Sequence, residues 1–248
     1  MSPVHDTVGR GYRETIHPAS GEMGFQVVVE ETDLFLLAAK DLSRETADVV
    51  RELRGQLKNH ILLHPEFSAS LVPVPVPETA PEIVHRMAKA GKACGVGPMA
   101  AVAGTVAQMV AERLQPDHGD IVVENGGDVF LHSSRERIVA LLPDPKGGSH
   151  VGIRLAPDRF PLAVCSSSGR IGHSLSLGCG DLVTVLSKDG AFADAAATAL
   201  CNLLKSGDDV EQVLERAGVL VSAGLSGVFA QCGQQVAAWG DLELVAVG

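Results

Sequence analysis

Positive charge is scarce in this sequence: 20 Lys and Arg stand against 30 Asp and Glu, a formal net charge of -10 over 248 residues. No basic run is long enough to track a phosphate backbone, so nucleic acid is not an expected partner. The cysteines Cys94, Cys165, Cys179, Cys201 and Cys232 are odd in number and never spaced C-x-x-C. That argues against a disulfide framework or a thiolate metal site, and they read as reduced core thiols. Long apolar runs are also missing, since the stretch from Val96 to Val110 is broken by Gly, Pro and Gln. No transmembrane helix is expected. The first residues mix charge, His and Gly without an apolar segment, so no secretory signal is expected and the cytoplasm is the expected location. Three catalytic signatures are absent as well: no G-x-G-x-x-G, no Lys-bearing P-loop and no G-x-S-x-G elbow.

Apolar material is plentiful, at 46% of residues, enough for a sizeable core. Phe25 to Val29 and Leu34 to Ala38 read as a strand pair. Arg44 to Leu63 then shows helical spacing, with Val50, Leu53, Leu57 and Ile61 on one face and Arg51, Glu52, Arg54 and Lys58 on the other. Alternating prolines from Val72 to Pro77 make an extended connector before a short helix over Pro81 to Ala90. Met99 to Leu114 is a helix of small residues suited to close packing, with Pro98 at its start.

From Ile121 strands dominate: Ile121 to Val123, Val129 to His132, Ile138 to Leu142, Val151 to Leu155, Leu162 to Val164 and Leu182 to Leu186. Helices are expected over Ala191 to Lys205 and Val210 to Ala217, then strands over Val219 to Ala223, Gly227 to Cys232 and Leu242 to Val247. The pattern is α+β. One compact domain over 1–248 is expected, with duplicated halves near 20–118 and 119–248, though no residue-level repeat marks them.

Glu124-Asn125-Gly126-Gly127-Asp128 reads either as a hairpin turn or as a backbone opened to a ligand by paired glycines. Behind a strand, Cys165 to Ser176 packs Ser166, Ser167, Ser168, Gly169, Arg170 and His173, a set suited to phosphate and proton transfer, or to a plain polar loop. On the helix that follows, Asp194, Thr198, Asn202 and Lys205 fall on one stripe. That stripe reads as a solvated face with Asp194 against the helix dipole, or as two corners of a hard-cation site. The helix start behind Gly95-Val-Gly-Pro98 offers its N–H groups to an anion.

Taken in order, VGPMAAVAGTVAQ, VVENGGDVFL, CSSSGRIGHSLSLGCGDLVTV and FADAAATALCN resemble an uncharacterised family of ApbE-like proteins. The likeness implies a tandem pair of T-fold-like units in one body. Its wider superfamily implies Mg-dependent transfer of FMN from FAD to a Thr or Ser, or hydrolysis of a related diphosphate. A non-catalytic binding protein for a nucleotide or another small anion is the alternative. By the resemblance, Gly126, Gly127, Asp128, Ser168 and Gly169 would contact a flavin nucleotide, FAD or FMN, and the polar groups beside them, Asn125, Ser166, Ser167 and Arg170, are expected to join them. His173 would be catalytic, and Asp194 with Thr198 would hold magnesium. Where the transferases carry Asp-Pro-x-Thr-Gly after that His, this chain has Ser174-Leu-Ser-Leu-Gly178. The implied partners are a small-molecule ligand, a cytoplasmic acceptor protein and a second copy of the chain.

Overall fold

The computed structural model describes residues 18–141, 151–169 and 181–247. Its frame is an eight-stranded antiparallel sheet in the order β1-β2-β3-β4-β7-β8-β9-β10, with a three-stranded sheet β11-β6-β5 beside it. The strands of the larger sheet are β1 (Met23–Val29), β2 (Thr32–Ala38), β3 (Ile121–Asn125), β4 (Asp128–His132), β7 (Leu162–Ser167), β8 (Leu182–Ser187), β9 (Leu225–Cys232) and β10 (Gln235–Gly240). The smaller sheet comprises β5 (Arg137–Leu141), β6 (Val151–Leu155) and β11 (Glu243–Ala246). β3 pairs with β2 from Leu34↔Asn125 to Ala38↔Ile121, so the sheet is continuous across the expected boundary between the halves.

Alternation along the strands sorts the core into two layers. Ile121, Val123, Phe130, Ala163, Cys165, Val183 and Val185 join one cluster with the helices. Val122, Leu131, Leu162, Val164, Leu182 and Leu186 join Leu141, Ile153 and Leu155 of the smaller sheet in another. β8, covered on both faces, is buried at every residue.

The helices are α1 (Ser43–Leu63), α2 (Glu66–Ala69), α3 (Glu82–Cys94), α4 (Val102–His118), α5 (Gly190–Leu203) and α6 (Val210–Leu220). α1 buries Val50, Leu53 and Leu57 as its spacing predicts. α3 ends at Gly95, whose φ of 79° closes the helix with its N–H on the Gly91 carbonyl. The helix expected from Met99 begins as a 3-10 turn over Pro98–Ala101 and becomes α-helical at Val102.

Two expectations fail. Val219 to Ala223 is the end of α6 and a following 3-10 turn, because the helix runs on to Leu220 and uses Ala217 and Leu220 to reach the core. β10 has no counterpart in the sequence reading, since Gln-Val-Ala-Ala-Trp-Gly holds one β-branched residue. Its strand form is imposed by pairing with β9 from Gln235↔Cys232 to Gly240↔Gly227. Among the described residues no single helix is long and apolar enough to cross a membrane.

Candidate functional site: a buried acid pair between sheet and helices

The hairpin reading of Glu124 to Asp128 holds. Asn125 faces Asp128 across a two-residue turn in which Gly126 and Gly127 have φ of 71° and 136°. Both positive values suit glycine and little else, which is why the pair stands there. The turn also does more than reverse the chain. Asn125 Nδ2 donates to the Ala103 carbonyl on α4 at 3.1 Å, and Asp128 is buried with Oδ1 accepting from Ser166 N–H at 3.2 Å.

Ser166 and Ser167 are the last residues of β7 and point to opposite faces. The Ser166 hydroxyl meets Thr184 Oγ1 at 2.8 Å. Ser167 shares the helix-side face with Cys165 and is 8% exposed, yet its Oγ has no hydrogen-bond partner among the described residues. Ser168 and Gly169 follow half-buried. Arg170, His173 and the Ser174 to Gly178 run lie outside the described residues.

The polar stripe of α5 is not a solvated face. Every residue from Gly190 to Thr198 is buried, Asp194 and Thr198 included, and only Asn202 and Lys205 approach solvent. The helix is Ala-rich on all sides because α3, α4, α6 and the sheet surround it. The first-turn dipole role expected for Asp194 belongs instead to Asp189, the N-cap, whose Oδ1 accepts from Phe192 N–H at 3.1 Å.

Asp194 reaches the next helix. Its Oδ2 accepts from Gly104 N–H at 2.9 Å, and Ala103 N–H donates to the same carboxylate. These are the second and third residues of α4; Val102 N–H before them donates to the Met99 carbonyl of the 3-10 turn, and the N-cap, Ala101, supplies no side-chain acceptor. The helix start behind Pro98 therefore does hold an anion, and the anion is the protein's own carboxylate.

Burial pushes Asp194 well above the ordinary carboxylate value, and the nearby Asp128 pushes it further, against the two α4 N–H groups. Burial raises Asp128 to about 7, opposed by hydrogen bonds from Cys165 and Ser166 and aided by Glu124. Neither acid is paired with a Lys, Arg or His among the described residues. Two acids held together without a cation are costly unless something else shares their charge.

Burial holds the nearby thiols protonated, raising Cys94 to about 12 and Cys165 well above its ordinary value, and the two thiols donate to Phe192 O and Gly190 O. The core-thiol reading holds for Cys94, Cys165 and Cys201, which are buried, while Cys232 is half-buried. Cys179 lies outside the described residues.

The structure thus brings Asn125, Asp128, Ser166 and Asp194 together around the start of α4, and sets Ser167 on the same face of the sheet. The part played by Ala103, Gly104 and Gly190 is not announced by any motif. The only hint is the run of small residues at two helix starts far apart in sequence.

Ser167→Ala is expected to leave the melting midpoint unchanged or raise it, because it removes a buried hydroxyl whose unsatisfied state costs about 1 to 3 kcal/mol. A fall equivalent to more than about 1 kcal/mol in a denaturant melt would reveal a protein partner for that hydroxyl.

A hard cation fits this donor set on three observations. Among the described residues two carboxylates lie buried without a basic partner and a buried hydroxyl lacks a partner, and Thr198 follows Asp194 one turn later on the same helix.

The profile of the family described as AbpE bacteria matches residues 14–237. A UPF0280 protein of Methanocaldococcus jannaschii is 37% identical over 228 residues, covering 89% of this chain and 92% of that protein. A UPF0280 protein of Methanopyrus kandleri is 40% identical over 195 residues, covering 77% and 78%. Among solved structures, the apo flavinyl transferase ApbE of Pseudomonas stutzeri aligns with a TM-score of 0.51 at 13% identity, covering 88% of this chain and 94% of that one. The ApbE protein of Thermotoga maritima aligns with a TM-score of 0.53 at 12% identity, covering 84% and 94%. At such identity the likeness is one of fold.

Proposed function

The chain belongs to the family described as AbpE bacteria, and from that membership and the acid pair we propose that it is a magnesium-dependent enzyme acting on the diphosphate of a flavin nucleotide. The observation that carries the reading is the burial of Asp128 and Asp194 side by side with no basic side chain between them among the described residues. The solved neighbour named as a flavinyl transferase supplies the substrate class.

Asp194, Thr198 and Asp128 are the residues that would hold magnesium, which when bound neutralises phosphate charge. In the transfer reaction the diphosphate P–O bond of FAD breaks. A new bond forms between the FMN phosphorus and an acceptor hydroxyl oxygen, AMP leaves, and the acceptor proton is released. With water as acceptor, the products are FMN and AMP. The Gly126-Gly127 turn has no side chain to screen its backbone from a ligand, and the Ser167 hydroxyl, without a partner among the described residues, lies on the same side of the sheet as the acids. His173 is assigned to the acceptor proton on the strength of the family resemblance, and Arg170 to phosphate charge from its place in the polar segment that precedes that His.

The architecture supports a tandem pair of T-fold-like units. β1 and β2, then helices, then β3 and β4 are followed by β7 and β8, then α5 and α6, then β9 and β10. An acceptor protein of the cytoplasm fits the same reading.

Purified protein incubated with FAD and magnesium is expected to release AMP together with FMN, or to leave FMN on a supplied acceptor. Chromatography of the nucleotides checks this. FAD bound without turnover would reduce the protein to a flavin-binding module, and the absence of FAD binding would overturn the reading.

A further inference from the structure

The contact that holds Asp194 depends on two bare α-carbons at the crossing of α4 and α5. At Gly104 a Cβ would overlap the Gly190 carbonyl oxygen and stand 2.8 Å from Asp194 Cβ. At Gly190 a Cβ would stand 2.7 Å from the Gly104 carbonyl oxygen. Neither glycine has a positive φ among those recorded, so close approach rather than backbone conformation accounts for them. The crossing is fastened further along by Gln108 on α4, whose Oε1 accepts from Gly190 N–H at 2.6 Å.

This close approach lets the first turn of α4 donate to one oxygen of a carboxylate on α5. With Oδ2 held by the Gly104 N–H, the carboxylate is restrained and so is the position of its other oxygen. The Ser167 hydroxyl, buried on the same side of the sheet and without a partner among the described residues, is a second polar group there that a ligand could engage.

We propose that Gly104 is a positioning residue for the cation site: by lacking a Cβ it lets α4 hold Asp194 Oδ2 and so presents the remaining oxygen to magnesium. The inference rests on the functional reading above. Gly104 has no side chain to ligate the ion, and its influence passes through Asp194 and the α4–α5 crossing that carries it. A ligand whose supporting contact is lost binds its metal about 10 to 100-fold more weakly, even where the fold survives.

The test is calorimetric titration of magnesium alone into the natural protein and Gly104→Ala, with circular dichroism confirming that both are folded. The expected result is a dissociation constant raised about tenfold or more in the variant. A folded variant that binds magnesium as tightly as the natural protein overturns the positioning role and leaves the cation reading intact. A natural protein that binds no magnesium overturns both.

Should Gly104→Ala not fold, the natural protein labelled with 15N-glycine gives a second reading. The Gly104 amide is expected to shift during a magnesium titration with the calorimetric midpoint, while Gly119 and Gly218, which face open space, stay fixed. A Gly104 amide that does not move while magnesium binds overturns the proposal.

Discussion

Asp194→Asn is expected to bind magnesium at least about a hundredfold more weakly than the natural protein, while its metal-free form melts no lower. The two effects have different origins. A hard cation draws most of its affinity from charged oxygens, and the amide supplies none. In the metal-free fold burial and the neighbouring Asp128 already favour the neutral form of Asp194, so the neutral amide replaces it at little cost while its oxygen still accepts from Gly104 N–H.

Asp194→Ala separates the roles, because it also strips the first turn of α4 of its acceptor. Its metal-free form is expected to lose about 1 to 2 kcal/mol, the usual cost of losing a helix N-cap. Calorimetry with magnesium and denaturant melts of the three proteins read both quantities. Equal magnesium affinities would sink the metal role and leave Asp194 as a cap alone.

Arg137→Ala is expected to cost about 1 to 3 kcal/mol at neutral pH, because it takes the bidentate partner from the Glu22 carboxylate and leaves it the Ala19 N–H and the more distant Arg135. Glu22 is 3% exposed and Arg137 10%. Arg137 Nη1 donates to Glu22 Oε2 at 2.9 Å, and Nη2 donates to the other carboxylate oxygen. The pair joins the segment leading into β1 to the start of β5, and so ties the larger sheet to the smaller.

The Arg137 guanidinium holds Glu22 below the usual carboxylate value of 4.5. A lowered folded value means that the stabilisation is complete above that usual value and is lost as pH falls through the folded one. The deficit of Arg137→Ala should therefore be constant above about pH 5.5 and shrink as acid protonates Glu22 in the variant first. Denaturant melts from pH 7 to pH 3 check this, and a deficit that does not depend on pH would show that the loss is one of packing.

Wherever a residue's environment follows from its immediate neighbours, the sequence was legible. The hairpin at Gly126-Gly127 could be read because adjacent glycines between apolar strands suit a two-residue turn. The inward face of α1 could be read because its period is carried by large side chains. The stripe through Asp194 misled because periodicity assumes that a helix has a wet side, whereas α5 is enclosed. The Ala-rich composition on every side of α5 was the signal that outweighed the stripe. β10 stayed hidden because its strand form is lent by β9, and the apparent strand at Val219 was absorbed by α6 because helix geometry carried Leu220 into the core.

What the sequence determined by itself is an α+β framework, the turn at Gly126-Gly127, the family and the residues from which a site could be made. Tertiary structure alone decided which donors meet which acceptors. That Asp194 caps α4, that Asp128 lies beside it and that Ser167 Oγ is left without a partner among the described residues all depend on groups tens of residues apart. The physical reason is that burial and charge proximity are properties of the packed chain. A carboxylate's cost, and so its use, is set by the water that packing removes and the neighbours it brings.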